Sequence, residues 1–219
     1  MTNALTIDFV SDIACPWCAI GLASLETALA RLGPDVPVAL RFQPFELNPQ
    51  MPAGGQDVTE HLTEKYGSTP EQQAIGRANL RERGAKLGFA FHPQGRSRVY
   101  NTFDAHRLLT WAAQEAGGAH QHALKKGLLK AYHGESQNMD SHALLARVAG
   151  EAGLSAERAT QILASDEFAA ETREREAYYT SHGIHAVPSV IINGQHLIQG
   201  GQAPEVFELS LRQIASAAA

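Results

Sequence analysis

Basic residues are scarce: Lys and Arg together number 18 against 23 Asp and Glu, a formal net charge of −5 over 219 residues. That balance leaves no electrostatic footprint for nucleic acid or an anionic membrane, and neither is expected as a partner. Long apolar runs are missing as well, since no window approaches the length needed to span a bilayer. The first residues, Met1 to Asp8, carry neither the basic region nor the apolar stretch of a secretory signal, and Asp8 and Asp12 interrupt the only early apolar segment. The expected compartment is therefore the cytoplasm. Only two cysteines occur, Cys15 and Cys18. A secreted disulfide scaffold would carry more of them, more widely spaced. As a staple the pair would be weak, because closing so short a loop is worth roughly 2 kcal/mol, against about 4.7 for a loop of about 100 residues. No internal repeat and no low-complexity linker divides the chain.

What is present is a hydrophobic fraction of 44%, enough for a packed core. Leu5 to Val10 alternates and is rich in strand formers, which predicts a first strand. Leu22, Leu25, Leu29 and Leu32 recur at helical spacing until Gly33-Pro34 closes the helix. Val36 to Phe42 reads as a second strand, with Pro37 pushing its start to an edge or out of the ladder. Apolar periodicity then predicts helices near 58–66, 70–87, 102–116, 120–132, 140–152, 155–164 and 166–182, with a loop from Gly88 to Ser97. Asn101 with Asp104 three residues on resembles a capping box. Val187 to Ile198 is two β-rich runs around Asn193-Gly194, a strong hairpin signal. Pro204 opens a last helix carrying Val206, Phe207, Leu209, Leu211 and Ile214. The order β-α-β, helical block, β-β-α implies an α/β fold: one sheet whose two halves meet in space, with an inserted helical subdomain.

The chemistry sits in Cys15-Pro16-Trp17-Cys18, between a predicted strand and a predicted helix. Disulfide exchange needs a thiolate, and a free thiol with a pKa of about 8.5 is only a few per cent ionised at neutral pH. Unpaired N–H groups and the dipole at a helix N-terminus favour an anion. Cys15 is expected there, exposed and with a depressed pKa; a shift of about two units corresponds to about 2.7 kcal/mol. Cys18, one turn further, would be more buried and would resolve the mixed disulfide. Pro16 suits the first turn, and Trp17 offers an apolar surface that either meets substrate or only shields the sulfur. Zinc would need about four ligands where this motif supplies two, and none of the ten histidines stands at a paired spacing, so no metal is expected. Two inert core cysteines remain the bland alternative.

On Asp8 to Cys18, Asn101 to Leu108 and Val187 to Gly194, the chain resembles the DsbA family of the thioredoxin superfamily, and more narrowly its FrnE-like dithiol-disulfide isomerases. The resemblance implies a thioredoxin-like domain from residues 1–45 and 166–219, with an all-helical insertion over 46–165. It assigns Cys15 and Cys18 as the redox pair. It implies a cis Val187–Pro188 bond facing them, with the Val187 backbone free to pair with an extended substrate. Family members often carry a buried acid in the first strand that relays the second thiol's proton; Asp8 is one candidate and Asp12 the other. Strongly oxidising relatives have His where this chain has Trp17, so a less oxidising couple is expected.

Three functions compete. The first is a thiol-disulfide oxidoreductase or isomerase acting on protein or small-molecule disulfides, as monomer or homodimer and without a bound cofactor. The second is a glutathione-dependent isomerase or transferase of a small aromatic metabolite, similar to kappa-class and chromene-carboxylate enzymes, with glutathione as co-substrate; those enzymes typically have Ser at the position of Cys15, and the retained cysteines favour the first function. The third is a binding module with an apolar groove near Trp17. In either enzyme a cleft between sheet and helices would hold the substrate. Asn101, Asp104 and His106 are candidates to line it, although capping and a solvated helix face account for them more simply.

Overall fold

A computed structural model describes residues 4–34 and 36–217; residues 1–3, 35, 218 and 219, which the expected boundaries include, lie outside the described residues. The alternation of the first segment forms β1 (Leu5–Ser11), with Leu5, Ile7 and Phe9 buried in the main core and Val10 against Tyr179 and Ile184 on the other face. This strand is central. It pairs in parallel with β2 (Val38–Pro44) and antiparallel with β5 (Ser189–Ile192), which pairs antiparallel with β6 (His196–Gln199), giving the order β2-β1-β5-β6. The two ends of the chain thus build one sheet. Asn193 and Gly194 both adopt left-handed backbone, with φ of 52° and 67°, the conformation that Asn and Gly tolerate best. Asn193 also ties the turn to β1: its N–H donates to Thr6 O at 2.8 Å and its Oδ1 accepts from Thr6 N at 2.9 Å.

β2 starts two residues later than the Val36 expected. Pro37 has no N–H to give to a ladder and contributes only its carbonyl, which accepts from Leu5 N at 2.9 Å. Helix α1 (Pro16–Leu32) ends at Gly33, and α9 (Pro204–Ala217) packs along it. Between β2 and β5 come α2 (Val58–Tyr66), α3 (Pro70–Lys86), α4 (Phe103–Trp111), α5 (Gly118–Leu129), α6 (His142–Glu151), α7 (Ala156–Leu163) and α8 (Ala169–Ser181). α3 packs on α1, so the α2–α3 pair arches back over the start of that helix. Both helices expected at 102–116 and 120–132 finish as π-helical turns, Ala112–Ala116 and Lys130–Gly134.

A two-residue ribbon, β3 (Gln56–Asp57) against β4 (Arg98–Val99), is too short to leave a periodic signal. The capping box at Asn101 does not form. Asn101 Oδ1 accepts from Phe103 N at 2.8 Å as a short Asx turn, while Asp104 turns outward to Arg107 at 2.7 Å and His142 at 2.8 Å. His106 is not on a solvated face either: it is 1% exposed. Among the described residues no helix is long and apolar enough to cross a membrane.

Candidate active site

β1 ends at Ser11, and the turn Asp12-Ile13-Ala14 delivers Cys15 to the N-cap of α1 with extended backbone (φ −90°, ψ 112°). Pro16 takes the first helical position, where its missing N–H costs nothing. Cys18 is one turn on and fully buried. Both cysteines are free. As a thiol, Cys15 donates to Val187 O at 3.6 Å, across a bend whose Val187–Pro188 bond is cis.

Cys15 is far less open than expected, at 4% exposure. The cause is the inserted helices, whose α2 and following loops roof the start of α1. Its sulfur borders a cavity of about 570 Å³ under that roof, walled by Leu47, His61, Leu62 and Tyr66, by Arg77 and Arg96, and by His185 and Val187. Trp17 is 37% exposed at the cavity's side, with the Arg83 guanidinium 5.3 Å from its ring centre, so its face is already covered by a cation. Pro16 is half-buried and borders the cavity; Pro188 is buried, beyond the lining, and stacks behind Val187 against Gly21, where an added Cβ would come within 2.9 Å of the Pro188 ring.

The two thiols differ in the direction expected, although the main cause differs. The hydrogen bond from the Cys18 thiol holds Cys15 below the ordinary thiol value, helped by the Cys18 and Trp17 backbone and opposed by burial and by the Asp12 charge. Burial, and then the bond it gives to Cys15, pushes Cys18 well above that value. The neighbouring thiol is thus the largest single influence on Cys15, and the amides at the helix terminus add to it.

Of the two candidate acids, Asp8 is half-buried on β1 and its Oδ1 accepts from Gln43 at 2.7 Å, away from the cavity lining. Asp12 is fully buried and accepts from Ala14 N at 2.9 Å, Leu47 N at 2.7 Å and Thr102 Oγ1 at 2.7 Å. His106 Nε2 stands 3.5 Å from Oδ1, an electrostatic contact longer than a good hydrogen bond. Burial pushes the Asp12 carboxyl up, but His106 and the Leu47 and Ala14 amides outweigh it and hold the group below the usual carboxylate range. A carboxylate so occupied ties β1, β2's exit and α4 together and has little capacity left to carry a proton. His106, expected on the surface, belongs to this buried knot.

Several residues of the site left no local signal. Arg96 donates to Ala14 O and lies 5.1 Å over the Tyr132 ring. His133 is buried with Nε2 donating to Ile13 O at 2.8 Å, and burial lowers its pKa to about 3. Lys125 is fully buried, and its charge bears on Cys18. All three reach the cysteines from more than 75 positions along the chain. The one hint was that Lys125 shares the apolar stripe of Leu124, Leu128 and Leu129.

The chain is 32% identical to a probable DsbA oxidoreductase from Streptomyces coelicolor, whose crystal structure superposes with a TM-score of 0.85 over 97% of this chain and 90% of that one. It is 28% identical over 216 residues to the uncharacterized protein YwbO of Bacillus subtilis, covering 94% of each. The cytosolic disulfide reductase DsbM from Pseudomonas aeruginosa, solved with GSH, shares the fold at 16% identity and a TM-score of 0.64, over 96% of this chain and 99% of that one. A family model, the DSBA-like thioredoxin domain, matches residues 6–212, and with that span matched the chain belongs to the DSBA-like thioredoxin domain family.

Proposed function

We propose that this thiol-disulfide oxidoreductase works through Cys15 as attacking thiolate and Cys18 as resolving thiol. The Cys15 thiolate attacks a substrate disulfide R–S–S–R′. A Cys15–S–R bond forms, the S–S bond of the substrate breaks, and R′–S⁻ leaves and takes a proton from water. Cys18, deprotonated, then attacks the Cys15 sulfur, the Cys15–Cys18 disulfide forms, and R–S⁻ leaves. Two electrons pass from the cysteine pair to the substrate; run in reverse, the same steps oxidise a dithiol. The observation that carries this reading is the pairing of a lowered Cys15 with a raised, buried Cys18 at the wall of a cavity. The thiol on the cavity side is the one whose ionisation is favoured, and that of its buried neighbour is opposed.

The roof over Cys15 favours substrates that can enter a cavity over those that lie on a flat surface. Arg77 and Arg96 in its wall suit a small disulfide bearing carboxylates, such as glutathione disulfide. Turnover of glutathione disulfide and of insulin, compared between wild type and Cys15→Ser, tests the reading. Cys15→Ser is expected to fall to the uncatalysed rate with both, and wild type to prefer the small disulfide. Wild-type turnover in Cys15→Ser would remove the thiol mechanism altogether.

A further inference from the structure

Resolution needs a group that takes the Cys18 proton, and the acids of the β1 region are already engaged: Asp8 accepts from Gln43, and Asp12 accepts three hydrogen bonds and is held below the usual carboxylate range. α5 carries another candidate. Gln121, Lys125, Leu129 and His133 follow at intervals of four along α5 and its π turn, and all are buried, at 2%, 0%, 1% and 3%. Each end of this stripe is fixed. Gln121 is hydrogen-bonded to both Phe42 N and Phe42 O on β2, at 3.0 and 2.9 Å, and His133 to Ile13 O just before the motif, at 2.8 Å. Lys125 lies between them on the same stripe and is fully buried. Its Nζ is buried and has no hydrogen-bond partner. An ammonium left that way would be costly, whereas a neutral amine with a free lone pair is tolerable there.

Resting on the dithiol reading above, we propose that Lys125 takes and holds the proton of Cys18 during resolution. The neutral amine accepts the proton, leaving an ammonium beside a Cys18 thiolate. That thiolate attacks the Cys15 sulfur, the Cys15–Cys18 bond forms and the Cys15–substrate bond breaks. The departing thiolate is protonated by water, and the ammonium returns its proton to solvent. In the reducing-to-oxidising reverse, the ammonium hands the proton back to Cys18.

The charges support this. Burial lowers the Lys125 pKa to about 8, and the Cys18 thiolate is the charge that most restores it, ahead of Asp12 and Cys15. Lys125 in turn is the charge that eases ionisation of Cys18, while it is not among the main influences on Cys15. The charges that act on it are those of Cys18, Asp12 and Cys15, and it acts in turn on His133. Asp12 is held ionised, His133 is held neutral by burial, His106 faces Asp12, and Arg96 is engaged with Ala14 O. Lys125, lowered to about 8, changes its protonation just above neutral pH.

Stopped-flow reaction of the reduced protein with dithiobis(nitrobenzoate) separates the steps, since attack by Cys15 and resolution by Cys18 each release one coloured thiolate. Lys125→Met is expected to keep the first phase and slow the second by about a hundredfold, the usual scale for loss of a positioned proton acceptor. It should also remove the rise of the second phase with pH through about 8. An unchanged second phase with an unchanged pH profile would overturn the proposal. Should Lys125→Met fail to fold, the wild-type profile decides: an inflection near 8 supports Lys125, and a rate that climbs only at the higher pH where Cys18 itself ionises overturns it. Failure of the underlying dithiol reading looks different, because the first phase would then be missing in wild type or would survive in Cys15→Ser.

Discussion

Individual residues around the motif are set by burial more than by contact with solvent. His133 shows what this does to stability. Its folded pKa of about 3 lies below the ordinary 6.5, so the unfolded chain binds a proton between those values that the folded chain refuses. The depressed pKa means the full contribution is present above about 6.5 and is lost progressively as pH falls toward about 3, at up to about 1.4 kcal/mol per pH unit. His133→Gln keeps a donor for Ile13 O but cannot titrate. Denaturant unfolding at pH 7 and at pH 4.5 should therefore show wild type losing about 2–3 kcal/mol more than His133→Gln over that interval. Equal losses would mean that His133 is not buried as a neutral ring. Nothing in the local sequence marks His133 or Arg96, and Lys125 is marked only by sharing an apolar stripe. A lone His or Lys in a helical stretch reads as a solvated face, and only the folded insertion reveals that these side chains point inward near a motif more than 75 positions away.

At the level of elements, local pattern was a good guide wherever one element answers to its own residues. The alternation of Leu5 to Val10, the Leu22–Leu32 repeat ended by Gly33, and Asn193-Gly194 between two β-rich runs each forms what its period and turn chemistry require. Where tertiary contacts decide, local pattern failed. Asp104 prefers Arg107 and His142 to the cap of its own helix, the β3–β4 ribbon is too short to have a period, and π turns interrupt two helices. The edge of the sheet illustrates such a tertiary contact. Among the described residues β2 is an edge strand, and the Gln121 amide of α5 satisfies both the Phe42 N–H and its carbonyl. Gln121→Ala strands two buried backbone groups and is expected to destabilise the protein by about 2–3 kcal/mol, read as a drop in unfolding midpoint. A change below about 0.5 kcal/mol would show that water replaces the amide without loss.

For the whole molecule, the resemblance carried by three short segments pointed to the right family, because those segments come together: the β1–α1 junction, the start of α4 and the β5 hairpin all border one region of the sheet. It did not reveal how closed that region is. The cysteine motif alone suggests an open, exposed sulfur at a helix terminus, and the terminus is indeed there; the inserted helices, folded back over α1, turn it into the wall of a cavity and bring Lys125 and His133 near it. Chemistry and architecture are thus divided between the two ends of the chain and its middle. The ends supply the sulfurs, and the middle supplies the roof and the buried Lys125 and His133. The account stands on Cys15 being the anionic member of the pair. The rate of alkylation of each cysteine, followed by mass spectrometry as a function of pH, measures this directly: Cys15 should titrate below the ordinary thiol value of about 8.5 while Cys18 stays unreactive until well above it. A Cys15 that titrates at or above the ordinary value, or a Cys18 that reacts first, would contradict it.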